Sequence, residues 1–462
     1  MSFRPVLALL AIAPLLAAGC VAPSAILNKN SVAPDLALLP SATSLWPDHE
    51  NEPHPSYGWP TLTHPATSTG EVPAFWKPIP EANVTKITGL KHITATPGIT
   101  KGAGIALFGS LALVPADSGK DSYVVDISNP EKPTILSTYP VNNSERGAAF
   151  MPFPDGRLYA IVATGPGFDV VNLTDPRNPY VLTDVKPLTG GHKVGVVPGT
   201  PIVYNANSNG GGGPLPLGAA AVLESQAAGV TEIYDLSDPA SPVLVQNFKN
   251  GYGCHHIFFW IDETKDKERA ICPGIQMTQI WDIKDPKDPK VIVSIPVHYG
   301  VAGGPSASIP LMAFSHFGIL DEKGEQLIVG DEMGGGGVPP GCTAPGAPTG
   351  ALWFYDVKDE KNPKLEGWFS PGTFLASKPG NDPMASCTAH HGRLVPDPEG
   401  KRQLIAMAFY GAGTVLVDFT DPMMPQLVDQ WDDGTNTWEA WYYNGYIFTG
   451  DLARGMDILK LR

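Results

Sequence analysis

The sequence predicts an all-β fold: a seven-bladed β-propeller of four-stranded antiparallel blades, with the ring closed by an N-terminal strand. Three observations carry this expectation. A strand–turn–strand segment recurs seven times, and a further hairpin signal lies upstream of the recurrences. The composition also suits many short strands, because 50 Gly and 48 Pro supply turns while 43% hydrophobic residues supply a core.

The chain opens on "MSFRPVLALLAIAPLLAAGC", one Arg followed by an apolar run from Val6 to Ala18 that is too short to span a bilayer, then small residues and a cysteine. This is an export signal. Its ending, "LLAAGC", resembles the bacterial lipobox, which implies cleavage before Cys20, a lipid on Cys20 and a place in the cell envelope, although Ala17 stands where Leu is commoner. Residues 21–81 are rich in Pro, Ser and Thr and read as a tether and extension, and His49, His54 and His64 within them fall outside any repeat.

The propeller is expected over residues 82–462. Its recurrences are "YVVDISNPEKP" at 123, "DVVNLTDPRNP" at 169, "EIYDLSDPASP" at 232, "QIWDIKDPKDP" at 279, "WFYDVKDEKNP" at 353, "VLVDFTDPMMP" at 415 and a truncated "GMDILKL" at 455. Each full copy is a β-branched or aromatic run, then Asp or Asn, then a polar turn containing Pro. Upstream hairpins such as "FMPFPDGRLYAIVA" and "HFGILDEKGEQLIVGD" bring the unit to four strands of roughly 54 residues, and such a sheet buries both faces only when its neighbours form a ring. The seventh copy ends after its third strand, so "ANVTKITGL" at 82 is expected to supply the fourth.

The "VVDIS-[ND]P" pattern resembles the LVIVD-repeat proteins, bacterial and archaeal surface propellers. The resemblance covers about residues 82–462 and implies the fold rather than an activity. A net charge of −15 with no basic patch argues against nucleic-acid partners and anionic headgroups. Beyond Cys20, four cysteines remain in a compartment that permits disulfides. A short hairpin favours Cys254 with Cys272, which leaves Cys342 with Cys387.

Counting back from the first hairpin turn of each blade finds a histidine at the start of five inner strands: His92, His192, His256, His316 and His391. The second blade has Ala148 and Ala149 there, and the seventh has Trp438 and Glu439. Equivalent positions in a ring converge on its axis, and neutral imidazoles there suit a transition metal, iron or copper rather than zinc. A hydrogen-bonded scaffold of histidines is the competing reading. His255 and His390, each preceding a ring candidate, are expected on the other side of the strand by its period of two, as support or as alternates. Glu439 is a candidate to orient a ligand or act as a base, or equally to form a salt bridge within the channel, with Glu145 and Arg146 just upstream of the second blade's Ala148 as further candidates. Asp331, Glu332 and Asp451 read as turn-forming or blade-linking residues.

Gly-rich insertions at 206 and 334 interrupt the third and fifth blades after their second strands. GxSxG and HExxH are both missing from the sequence. The pattern of axial histidines is similar to that of carotenoid-cleavage oxygenases and of selenium-binding or methanethiol oxidase proteins, which implies an oxidase or oxygenase. The expected function is therefore a metal-dependent oxidoreductase, anchored in the envelope through Cys20 and acting on a small organic substrate. The alternatives are a non-catalytic surface or adhesion propeller, and a lyase or isomerase using His and Glu439 as acid and base.

Overall fold

A computed structural model describes residues 74–462 apart from 116–121, 140–143, 154, 188–190, 207–228, 252, 263–266, 276, 298–311, 313, 333–349 and 372–386. Among the described residues there are seven four-stranded antiparallel sheets and one short 3₁₀ turn at Ala74–Trp76. No described helix is long and apolar enough to cross a membrane. The leader, Cys20, most of the tether and both Gly-rich insertions lie outside the described residues.

The inner strands of the seven blades are Ala106–Phe108, Ser144–Pro152, Lys193–Val196, Phe258–Asp262, Ser315–Leu320, Gly392–Val395 and Thr437–Tyr443. In each of the first six blades the chain then runs outward strand by strand. Successive blades bury their faces against each other. One core joins the first and second blades around Phe108 and Val162, another the fourth to sixth around Trp353 and Phe317, and another the seventh and first around Phe448 and Leu107.

The repeated motif has a physical reading in every full blade. The Asp or Asn that ends the third strand folds back to accept the N–H two residues on: Ser128 to Asp126 at 2.8 Å, Thr174 to Asn172 at 2.9 Å, Ser237 to Asp235 at 2.8 Å, Lys284 to Asp282 at 2.9 Å, Lys358 to Asp356 at 2.9 Å and Thr420 to Asp418 at 3.0 Å. Three residues later a second Asp or Asn repeats the device, as at Asn129, Asp238 and Asp421. The side chain mimics a backbone turn and fixes where the strand stops. A register shift sits just upstream in each of these six hairpins, for example between Val124 and Val125 and between Leu416 and Val417. Such bulges increase the local twist.

The ring closes as expected, but on a different segment. The fourth strand of the last blade is Leu90–Ala95, antiparallel to Gly455–Leu461, and not 82–90. Residues 82–89 lead into it. Ile87 is buried between the sixth and seventh blades, and the Ala82 N–H donates to the Asn444 carbonyl at 2.8 Å. The apolar spacing of Val84 and Ile87 therefore reports anchoring, not pairing. The preceding Trp76 packs edge-on against Phe108 at 5.0 Å, so this part of the extension lies on the first blade.

Candidate functional site

Histidines converge at the start of the inner strands of four neighbouring blades. The third contributes His192, the fourth His255 and His256, the fifth His316, and the sixth His390 and His391. Ring centroids lie 4.3 Å apart for His192 and His255, 4.7 Å for His255 and His316, 4.3 Å for His316 and His390, and 4.8 Å for His316 and His391. Two groups have ligand atoms all within 4.8 Å of one another: His192, His255 and His316, and His316, His390 and His391. His316, His390 and His391 are at most 1% exposed, while His192 and His255 are partly exposed.

The expected ring is corrected at three places. His92 is not axial: it lies on the closing strand, where its Nε2 is 2.7 Å from Asp457 and its ring stacks on Trp431 at 4.7 Å. The first blade's hairpin turns at Gly109 and Ser110, not near Pro97, so counting from Pro97 landed on an outer strand. His256 is in the cluster but belongs to neither three-histidine group. Its Nδ1 is turned back onto the backbone of Ile257, 2.9 Å from the N–H and 3.1 Å from the carbonyl, and so points away from a shared metal position. His255 and His390 face the same cluster as their neighbours, not the opposite side of a strand. Both precede regular strand, and the N–H groups of His255 and His256 share the Pro273 carbonyl at 2.7 and 3.3 Å, so the alternation of a ladder has not begun.

Burial holds the imidazoles of His255, His256, His316, His390 and His391 well below the ordinary value, reinforced by neighbouring histidines and by Lys193. They are neutral, each with one lone pair to give. His390 Nδ1 is 2.5 Å from the Trp438 carbonyl and so carries the proton, which directs the Nε2 lone pair into the cluster. Among the described residues, neither ring nitrogen of His391 has a hydrogen-bond partner, at zero exposure, and the Nδ1 of His316 is in the same position.

The carboxylate of the site is Glu332, not Glu439. Glu332 lies 3.3 Å from His316 Nε2 and 3.6 Å from His390 Nε2, and accepts a hydrogen bond from the Tyr410 hydroxyl. Tyr410 is held in a left-handed backbone conformation, φ +46°, bridged on both sides to Thr437 of the next blade. Sequence reasoning made Glu332 a turn-forming or blade-linking residue, and its bond to Tyr410 of the sixth blade does link blades, but its place beside the histidines was not foreseen. That reading suits Asp331, which accepts from the Phe314 and Gly350 N–H groups, and Asp451, which accepts from Asn436, Ala453 and Arg454. The missed signal was register: Ser315 pairs with Asp331 across the first hairpin, so the next residue falls beside the start of the inner strand that bears His316.

Glu439 instead ties blades together. It accepts the Ile105 N–H at 2.9 Å and lies 3.6 Å from Arg393, whose guanidinium sits 3.8 Å over Trp441. With Lys193, His256 and Phe258 these residues line a channel space of about 630 Å³, counting its opening to solvent, further along the inner strands. The side chains of Glu145 and Arg146 lie outside the described residues. Cys254 and Cys272 form a disulfide beside His255, and Cys387 is also disulfide-bonded, while Cys342 lies outside the described residues.

The LVIVD repeat matches residues 102–141, the first blade, and 232–250, the outer hairpin of the third. No curated protein matches the sequence. Among solved structures, the chain is similar to the β-propeller domain of Cps50 (Swd1) from Myceliophteria thermophila, with a TM-score of 0.48 and 10% identity, covering 81% of this chain and 100% of that one. The chain is a seven-bladed β-propeller with LVIVD repeats and a buried group of histidines.

Proposed function

We propose that this propeller binds one transition-metal ion through His316, His390 and His391 and acts as an oxidoreductase on a small organic molecule that reaches the site through the channel. The observation that carries the reading is His391, buried with no partner for either ring nitrogen among the described residues, and set among imidazoles whose ligand atoms lie within 4.8 Å. A buried polar atom without a partner is costly, and a cation bound by the lone pair of a neutral imidazole removes that cost at the nitrogen it binds. The all-nitrogen donor set suits copper or iron better than calcium or magnesium, and three protein ligands leave a coordination position for a substrate. When bound, such an ion supplies one-electron chemistry. The chain's own residues hold and move the proton: Glu332 faces two ligands and takes the Tyr410 hydrogen bond, so the pair offers a donor and an acceptor beside the site.

Residues 1–20 support export and lipid anchoring at Cys20, and the Cys254–Cys272 disulfide supports an oxidising compartment. A second reading, a non-catalytic binding propeller, draws on exposed apolar residues at the rim of the fifth and sixth blades, where Trp368 is 44% exposed and Met423 72%. Elemental analysis of protein purified without a histidine tag separates the two. Near-stoichiometric copper or iron that is lost in His391→Ala supports the metal site, and oxygen uptake with candidate substrates then tests the activity. Metal-free protein that resists reconstitution leaves the binding reading.

A further inference from the structure

Resting on that metal reading, we propose that the channel mouth holds two stations for a single ion: an outer one of His192, His255 and His316 that receives it, and an inner one of His316, His390 and His391 that retains it. The two groups share one residue, and exposure falls from the first to the second. His192, His255, His316 and His390 form a file in which each ring lies less than 5 Å from the next, crossing four blades from partial to full burial.

One ion rather than two follows from His316. A neutral imidazole has a single lone pair, so His316 serves one cation at a time unless it surrenders its remaining proton. Burial already disfavours charge here, and two divalent ions within a few ångströms would repel strongly with Glu332 as their near carboxylate. Glu332 stands 3.3 Å from His316 and 3.6 Å from His390, so its charge favours the inner station. Transfer is a ligand exchange. His316 keeps its bond throughout, His192 and His255 release theirs, and His390 and His391 form two new ones, with no proton or electron gained or lost.

The test is stopped-flow uptake of cobalt(II) by the metal-free full chain, followed by its d–d absorption, with bound metal counted after dialysis. The wild type is expected to bind one ion in two phases. His192→Ala with His255→Ala is expected to bind one ion with the same final spectrum but at least tenfold more slowly and without the first phase. His391→Ala is expected to keep the fast phase and then lose its ion on dialysis. Circular dichroism and the milder pair His192→Gln with His255→Gln guard against misfolding. A wild-type stoichiometry of two that falls to one in the outer variant overturns the single-ion scheme, and an unchanged uptake rate overturns the outer station. A wild type that takes up no metal overturns the metal reading itself.

Discussion

His92, on the outermost strand of the seventh blade, pairs with Asp457 at 2.7 Å, stacks on Trp431 and keeps 31% of its side chain in solvent. His391, beside the innermost strand of the sixth, is fully buried, packed among other imidazoles, and neither of its ring nitrogens has a hydrogen-bond partner among the described residues. The first histidine has satisfied its chemistry within the fold, and what it gives back is the closure of the ring. The second has been desolvated without that satisfaction, which is the condition of a group kept ready for something the chain does not itself provide. Sequence position alone does not separate these cases, and the difference lies in which strand of the blade carries the residue.

The contrast is sharpest at His316, which both three-histidine groups share. His316→Ala is expected to lower metal affinity by at least three orders of magnitude, about 4 kcal/mol, in a competition titration, and an unchanged affinity would break the comparison outright. Next in size is the bridge beside the mouth. Replacing Cys254 and Cys272 with Ser opens a loop of sequence separation 18 and should remove about 3 kcal/mol from chemical unfolding.

Metal-free protein should lose stability as pH falls below 6.5, the ordinary imidazole value. The buried histidines have depressed values in the fold, so the unfolded chain takes up protons that the folded one refuses. Each histidine contributes a slope of up to about 1.4 kcal/mol per pH unit, read from denaturation curves at several pH values, and a flat profile between pH 6.5 and 5 would show that these rings are not buried neutral. Glu332→Gln keeps the shape but not the charge and should weaken metal binding by about 10- to 100-fold. The smallest effect is expected at the rim, where His92→Ala should cost about 1 kcal/mol of stability and leave metal content untouched. Metal loss in that variant would return His92 to the site.

The blades were legible because their chemistry is local. An Asp that accepts the N–H two residues on writes its turn into consecutive letters, and the same letters recur wherever the turn does, from Asp126 to Asp418. The closing strand was legible as a need but misplaced by about eight residues, since residues 82–89 approach the true strand and bury Ile87 between the sixth and seventh blades without forming it. The site was less legible because it is assembled where regular structure stops. Two assumptions that hold inside a strand, a fixed distance from the next turn and alternation of faces, fail at His255 and His390, which precede it. Glu332 was hidden behind Asp331, because the turn-forming or blade-linking role expected of both describes their bonds without placing either beside the histidines. Knowing the register of Ser315 with Asp331 would have been enough to find it.

The pairing of Leu90–Ala95 with Gly455–Leu461 has a consequence in time. The earliest blade strand to leave the ribosome finds its neighbour only when the latest has followed it, so every other blade is made, and on the export reading carried across the membrane, before the circle locks. Until that moment the protein is an arc with two unfinished ends. The same logic makes a variant that loses Gly455–Leu461 unable to lock, however sound its first six blades, because Leu90–Ala95 is then left without its partner.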